Sequence, residues 1–135
     1  MLKLIIGVKG TGKTKALISL VNETATSSRG DVVCIEKGVK LRFDIKPRTR
    51  LIDVNEYLIS DGQSLYGFVA GILASNHDVT DLFIDSALKI CNEDMPSFEK
   101  FVEEIAALSE KAGVNVVVTA SMPADSASDT IKKYL

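Results

Sequence analysis

The chain opens on an apolar run, Leu2-Lys3-Leu4-Ile5-Ile6, that passes directly into Gly7-Val8-Lys9-Gly10-Thr11-Gly12-Lys13-Thr14. Three glycines and two lysines in eight residues make neither a core segment nor a good helix interior. Helical spacing begins immediately afterwards. Residues 13–25 place Ala16, Leu17, Leu20 and Val21 on one stripe, with Ser19 and Asn22 away from it. A short buried strand, a glycine loop and a helix in direct succession constrain the chain to an α/β architecture.

The loop matches G-x-x-x-x-G-K-[ST], the phosphate-binding or Walker A pattern, and its physics explains its composition. Glycines let the backbone curl so that successive N–H groups point at phosphate oxygens. The helix starting near Lys13 adds its positive amino-terminal dipole. The Lys13 ammonium is placed to reach β- and γ-phosphates, and the Thr14 hydroxyl to ligate Mg²⁺. The candidate nucleotide-binding residues are Gly7, Lys9, Gly10, Thr11, Gly12, Lys13, Thr14 and Lys15. With glycine at about 7% of residues, a chance match is on the order of a few per hundred thousand start sites. The strand before it and the helix after it supply the expected context.

The remaining chain alternates in the same way. Val32 to Ile35, Leu82 to Asp85 and Val114 to Thr119 read as buried strands. Residues 64–75 read as a buried helix, with Gly67 and Gly71 expected to pack closely against a sheet. Met95-Pro96-Ser97 opens an amphipathic helix with Phe98, Phe101, Val102, Ile105 and Leu108 on its core stripe, ended by Gly113. Lys40 to Ile45 (KLRFDI) alternates like an exposed strand, Arg50 to Val54 (RLIDV) offers a short edge strand, and the last seven residues (DTIKKYL) read as a short helix. These elements imply a three-layer α/β sandwich, a mostly parallel sheet with helices on both faces, in one nucleotide-binding domain spanning residues 1–135.

At 135 residues and a formal net charge of −2, the chain has no overall basic field for nucleic acid. No apolar stretch is long enough to span a bilayer, and no signal peptide is visible, so a cytoplasmic protein is expected. Cys34 and Cys91 lack metal-ligand spacing and read as buried free thiols.

Ligands of parallel α/β sheets sit beyond the carboxyl ends of the strands, where Gly7, Glu36, Asp85 and Thr119 fall. A metal-holding acid is expected at such an end. Asp85 follows three bulky apolar residues, whereas the alternative, Asp53, follows two behind a charged run. The residue after Asp85 is Ser86, which cannot activate water. Glu36 is therefore the candidate catalytic base beside Lys13, against the alternative of a solvated strand-end glutamate. Thr119 and Ser121 are weaker candidates for sensing a γ-phosphate. His77 is assigned no chemistry.

In these residues the chain resembles the P-loop NTPases. Glu36 on the second strand and Ile84-Asp85-Ser86 on a later one resemble the RecA-like ATPases. That resemblance implies a further strand between the loop strand and the strand bearing Asp85. The whole chain is also similar to small stand-alone bacterial ATP-binding proteins sometimes labelled twitching-motility retraction ATPases. The motor ATPases of that label carry a separate N-terminal domain and acid- and histidine-rich boxes, which are not seen here, so the likeness covers the nucleotide core.

Three functions follow as expectations. The first is Mg²⁺-dependent ATP binding with slow or partner-stimulated hydrolysis, ATP and Mg²⁺ being the cofactors and a homo-oligomer or another protein the partner. Arg42, Arg48, Arg50, Lys132 or Lys133 is then available as a finger for a neighbouring subunit. The second is a non-catalytic, nucleotide-gated module whose segment 37–60 moves when ATP binds. The third is a small-molecule kinase with Arg48 and Arg50 closing over the phosphates. No Asn-Lys-x-Asp run selects guanine.

Overall fold

A computed structural model describes all residues, 1–135. Five strands form one parallel sheet: β1 (Leu2–Gly7), β2 (Asp31–Glu36), β3 (Arg50–Asp53), β4 (Val79–Ile84) and β5 (Asn115–Ser121). Their spatial order is β1-β5-β4-β2-β3. This is the RecA-like order implied by the resemblance, because β5 lies between the loop strand β1 and β4, the strand that leads to Asp85. The short strand at residues 50–53 is at an edge, as its charged approach suggested.

The connections are helical: α1 (Lys13–Ser27), α2 (Gly62–Ser75), α3 (Ala87–Ile90), α4 (Met95–Ala112) and α5 (Asp129–Lys132). Strand alternation divides the sheet's apolar residues between two faces. Leu4, Val33, Ile35, Leu82, Ile84, Val116 and Val118 join a large core with Leu65, Val69, Phe98, Phe101, Val102 and Ile105 from α2 and α4. On the opposite face Val32, Cys34 and Phe83 join a smaller core with Leu17 and Val21 of α1 and with Leu41 and Ile45.

Four expectations need correction. Residues 40–45 form no strand but a turn, in which the amides of Asp44 and Ile45 donate to the carbonyl of Leu41 at 2.9 and 3.0 Å. Burying Leu41 and Ile45, four residues apart, replaces the expected alternation. Gly67 and Gly71 lie on the open side of α2, where an added Cβ would meet no neighbouring atom, because Leu65, Val69 and Leu73 face the core. Ala16 is exposed on α1, where the buried stripe is Leu17, Val21 and Ala25. The tail helix covers only Asp129–Lys132.

Caps fix the remaining boundaries. Asp61 and Ser64 form a reciprocal capping box, which starts α2 two residues earlier than its apolar pattern suggests. Asp94 caps α4, with Pro96 in the first turn, and left-handed Gly113 (φ 66°) closes it. No helix is long and apolar enough to cross a membrane.

Candidate functional site

The loop between β1 and α1 is built by its glycines and two side chains. Gly10 and Gly12 have φ of 87° and 85°, left-handed values that a Cβ would strain. At Gly7 a Cβ would sit 2.7 Å from the Thr11 hydroxyl, which folds back to donate to the carbonyl of Val8 at 2.7 Å. Lys13 Nζ donates to the same carbonyl at 2.9 Å. The turn therefore closes on Val8, and the first turn of α1 opens onto it.

One hydrogen-bonded chain crosses from α1 to the centre of the sheet. Thr14 Oγ1 lies 3.1 and 3.3 Å from the two carboxylate oxygens of Asp85. Thr119 donates to Asp85 Oδ1 at 2.8 Å and accepts from the Ser86 amide at 2.8 Å. The Ser86 hydroxyl reaches Asp85 Oδ2 at 3.3 Å. Asp85 and Thr119 are both buried, so this carboxylate is fixed rather than free to rotate. Thr119, expected as a γ-phosphate sensor, instead has its hydroxyl occupied in holding Asp85. Ser121 stays at the cleft surface.

Asp53, the alternative metal-holding acid, is not brought to this point. It ends the edge strand beyond β2, and its Oδ1 accepts from the amides of Gly38 and Asn55 at 2.8 and 2.9 Å. It starts the 3-10 turn Val54–Tyr57.

Glu36 ends β2 and is buried, yet it borders the same cleft. Its Oε1 accepts from the Lys40 amide at 3.1 Å, and Oε1 and Oε2 lie 3.3 and 3.2 Å from the Leu41 amide. Burial raises its pKa above the ordinary carboxylate value, the Leu41 and Lys40 amides draw it back, and nearby Asp85 and Asp53 push it up again. The carboxylate is thus a backbone anchor for the segment after β2. This explains why residues 40–45 turn: Glu36 occupies the amides that strand pairing would have used.

The cleft over these strand ends has a volume of about 620 Å³. Lys9, Gly10, Gly12, Lys13, Thr14 and Lys15 form one wall. The other carries Glu36, Lys37, Lys40, Asp85, Ser86, Lys89 and Glu93, and only Leu41 and Leu88 are hydrophobic. Lys37, Lys40, Lys89 and Glu93 are site residues beyond the reach of the sequence pattern, since isolated loop lysines carry no signal until the strand order assembles them.

A divalent ion fits the donors present. The Thr14 hydroxyl and the Asp85 carboxylate are hard oxygen ligands. No cluster of three or more His, Cys, Asp or Glu side chains forms a self-sufficient cage. Such a sparse oxygen set suits Mg²⁺ held jointly with phosphates and water.

The expected arginine lid is contradicted. Arg48 donates to the carbonyl of Ser28 at 2.9 Å, and Arg50 begins β3, so both lie toward the amino ends of the strands, away from the cleft. Arg42 stacks over Phe43 at 4.8 Å.

No protein-family model and no curated protein matches the sequence. Among solved structures, a KaiC-like protein from the hyperthermophilic archaeon Pyrococcus horikoshii OT3 is similar, with a TM-score of 0.71 at 17% identity. The match covers 98% of this chain but 66% of that protein. At that identity the likeness establishes a shared fold, and the chain has the RecA-like α/β fold of its KaiC-like neighbour.

Proposed function

We propose that the chain is a Mg²⁺-dependent ATP-binding protein with slow or partner-stimulated ATP hydrolysis. The observation that carries this is the Thr14–Asp85–Thr119 chain beneath a glycine loop in left-handed conformation. A hydroxyl and a fixed carboxylate beside the loop and Lys13 support a metal shared with the phosphates. When bound, Mg²⁺ supplies charge neutralisation on the phosphates. Gly10, Thr11 and Gly12 present amides, Lys13 turns from the Val8 carbonyl to the phosphates, and Lys9 and Lys15 add positive potential at the rim. The likeness to a KaiC-like protein is consistent with this reading, and the absence of a guanine-selecting run favours adenine.

Glu36 orients water only if its hold on Lys40 and Leu41 loosens. That requirement supports slow turnover, raised by a partner or second subunit. The same anchor also favours a second reading, a nucleotide-gated module in which a change at Glu36 moves the segment 37–60 with no hydrolysis.

Calorimetric titration with ATP, ADP and GTP, with and without Mg²⁺, followed by phosphate release on the same sample, tests both readings. Mg²⁺-dependent ATP binding with phosphate release is the expected result. Binding without release selects the gated module. No nucleotide binding removes the proposal altogether.

A further inference from the structure

The two walls of the cleft differ in what they need from a nucleotide. The loop wall, with its amides and Lys13, suffices to cradle phosphates. The opposite wall carries three further lysines, Lys37 and Lys40 after β2 and Lys89 on α3. Six lysines line the cleft against three carboxylates, an excess of three positive charges in a chain whose net charge is −2. None of the six forms an ion pair, the single salt bridge being Met1 with Glu110 elsewhere.

Strand order places these lysines relative to the loop. Proceeding from the loop over β1, the strand ends run through Ser121 to Asp85 and then to Glu36. A metal held by Thr14 and Asp85 would be shared with the phosphates, and a terminal phosphate beside it would then lie on the β4 and β2 side of the loop. Lys37, Lys40 and Lys89 stand on that side.

The wall is also held in place. The carboxylate of Glu36 fixes the Lys40 amide. The short helix bearing Lys89 is bracketed by Ser86, Asn92 and Glu93, three non-glycine residues at φ of 57°, 57° and 58°. Side chains in that region are uncommon, and several around one short helix at a cleft mark a segment whose position is over-determined. It presents Ser86, Lys89 and Glu93 to the cleft.

We infer that Lys37, Lys40 and Lys89 read the terminal phosphate of the bound nucleoside triphosphate from within the same chain, and so set preference for triphosphate over diphosphate. This rests on the nucleotide-binding reading above. Charge decides between that role and a site for a second anion. A Mg²⁺-bound triphosphate carries about two net negative charges and the diphosphate about one. The triphosphate therefore nearly neutralises the excess and leaves little to attract a further anionic molecule.

The test is the ratio of dissociation constants for Mg²⁺-ATP and Mg²⁺-ADP, by calorimetry at fixed ionic strength, in the parent, in Lys89→Gln and in K37Q/K40Q/K89Q. The triple variant should bind ATP weaker by roughly tenfold or more, as expected for lost charge-assisted contacts, while ADP changes by less than about twofold. Lys89 is exposed and on a separate element, so Lys89→Gln should show the same selectivity at smaller size and guards against misfolding of the triple variant. Equal weakening of both nucleotides would mean a diffuse field and would overturn the inference, as would unchanged affinity for both. A parent that binds neither nucleotide defeats the underlying reading, whereas a parent that binds both with no effect of the variants defeats only this one.

Discussion

The two faces of the sheet are covered very differently. On one, α2 and α4 with parts of α3 and α5 bury a continuous core of 29 residues, including Phe98 and Phe101. On the other, α1 and the turn after β2 share a core of only seven. Much of the candidate site adjoins the thin face: Thr14 lies in the first turn of α1, Lys37 and Lys40 precede Leu41, and Glu36 joins that turn to the sheet. The thick face fixes the strands whose ends hold Asp85 and Thr119. The division leaves the thin face with few buried contacts and its turn dependent on hydrogen bonds such as those from Glu36, and elements of that kind open at the lowest local cost.

Mutations can break this division. Phe101→Ala, on the thick face, should cost about 3–5 kcal/mol of stability, measured by urea unfolding. Nucleotide affinity of the remaining folded protein should be unchanged. Lys13→Ala reverses the pattern: about 1.5–3 kcal/mol lost from Mg²⁺-ATP binding, since a hydrogen bond from a charged group is removed, with little change in stability. If Phe101→Ala altered the affinity of folded molecules as much as Lys13→Ala does, the two faces would not be separable.

A third substitution sharpens the contrast within the thin face. The Asn22 side chain on α1 donates to the Asp44 carbonyl at 2.8 Å and accepts from the Lys46 amide at 3.0 Å, pinning the turn to the helix. Asn22→Ala should lower stability by about 1–2 kcal/mol. Amide hydrogen exchange should accelerate in residues 39–46 before it does in α4. Uniform acceleration across both faces would contradict local pinning.

The acid response of Glu36 is smaller. Its folded pKa lies above the ordinary 4.5, chiefly through burial, so the native state holds its proton more tightly than the unfolded chain. Its contribution is fully present below that ordinary value and is lost as pH rises through the folded value. Glu36→Gln should therefore flatten the fall in stability over that window, read from urea midpoints at successive pH values. A slope as steep as the parent's would exclude Glu36 as its source. The cysteines should show the least effect of all. Cys91 is pushed up to about 12, and Cys34 higher still, by burial first and by neighbouring carboxylates second. Both should resist alkylation at neutral pH until the chain unfolds.

Legibility in the sequence follows the same division. The strands leading to Glu36, Asp85 and Thr119 announce themselves as buried apolar runs, and the loop as a motif with a mechanism. The thin-face turn imitates a strand in its spacing, because its geometry is set by one carboxylate gripping two amides, which apolar periodicity does not encode. The helix α3 leaves no trace in the sequence, since four residues give no periodicity and left-handed Ser86, Asn92 and Glu93 have no glycine to mark them. Thr119 is legible as a polar strand end but not by its partner: only the β4–β5 register shows that its hydroxyl meets Asp85.

Nucleotide binding at the glycine loop is tested by calorimetric titration of Mg²⁺-ATP into the parent and into Lys13→Ala, repeated with the metal chelated. One site is expected in the parent, weakened by chelation and by the substitution. Equal affinity in all three titrations, or no binding by the parent, would contradict it.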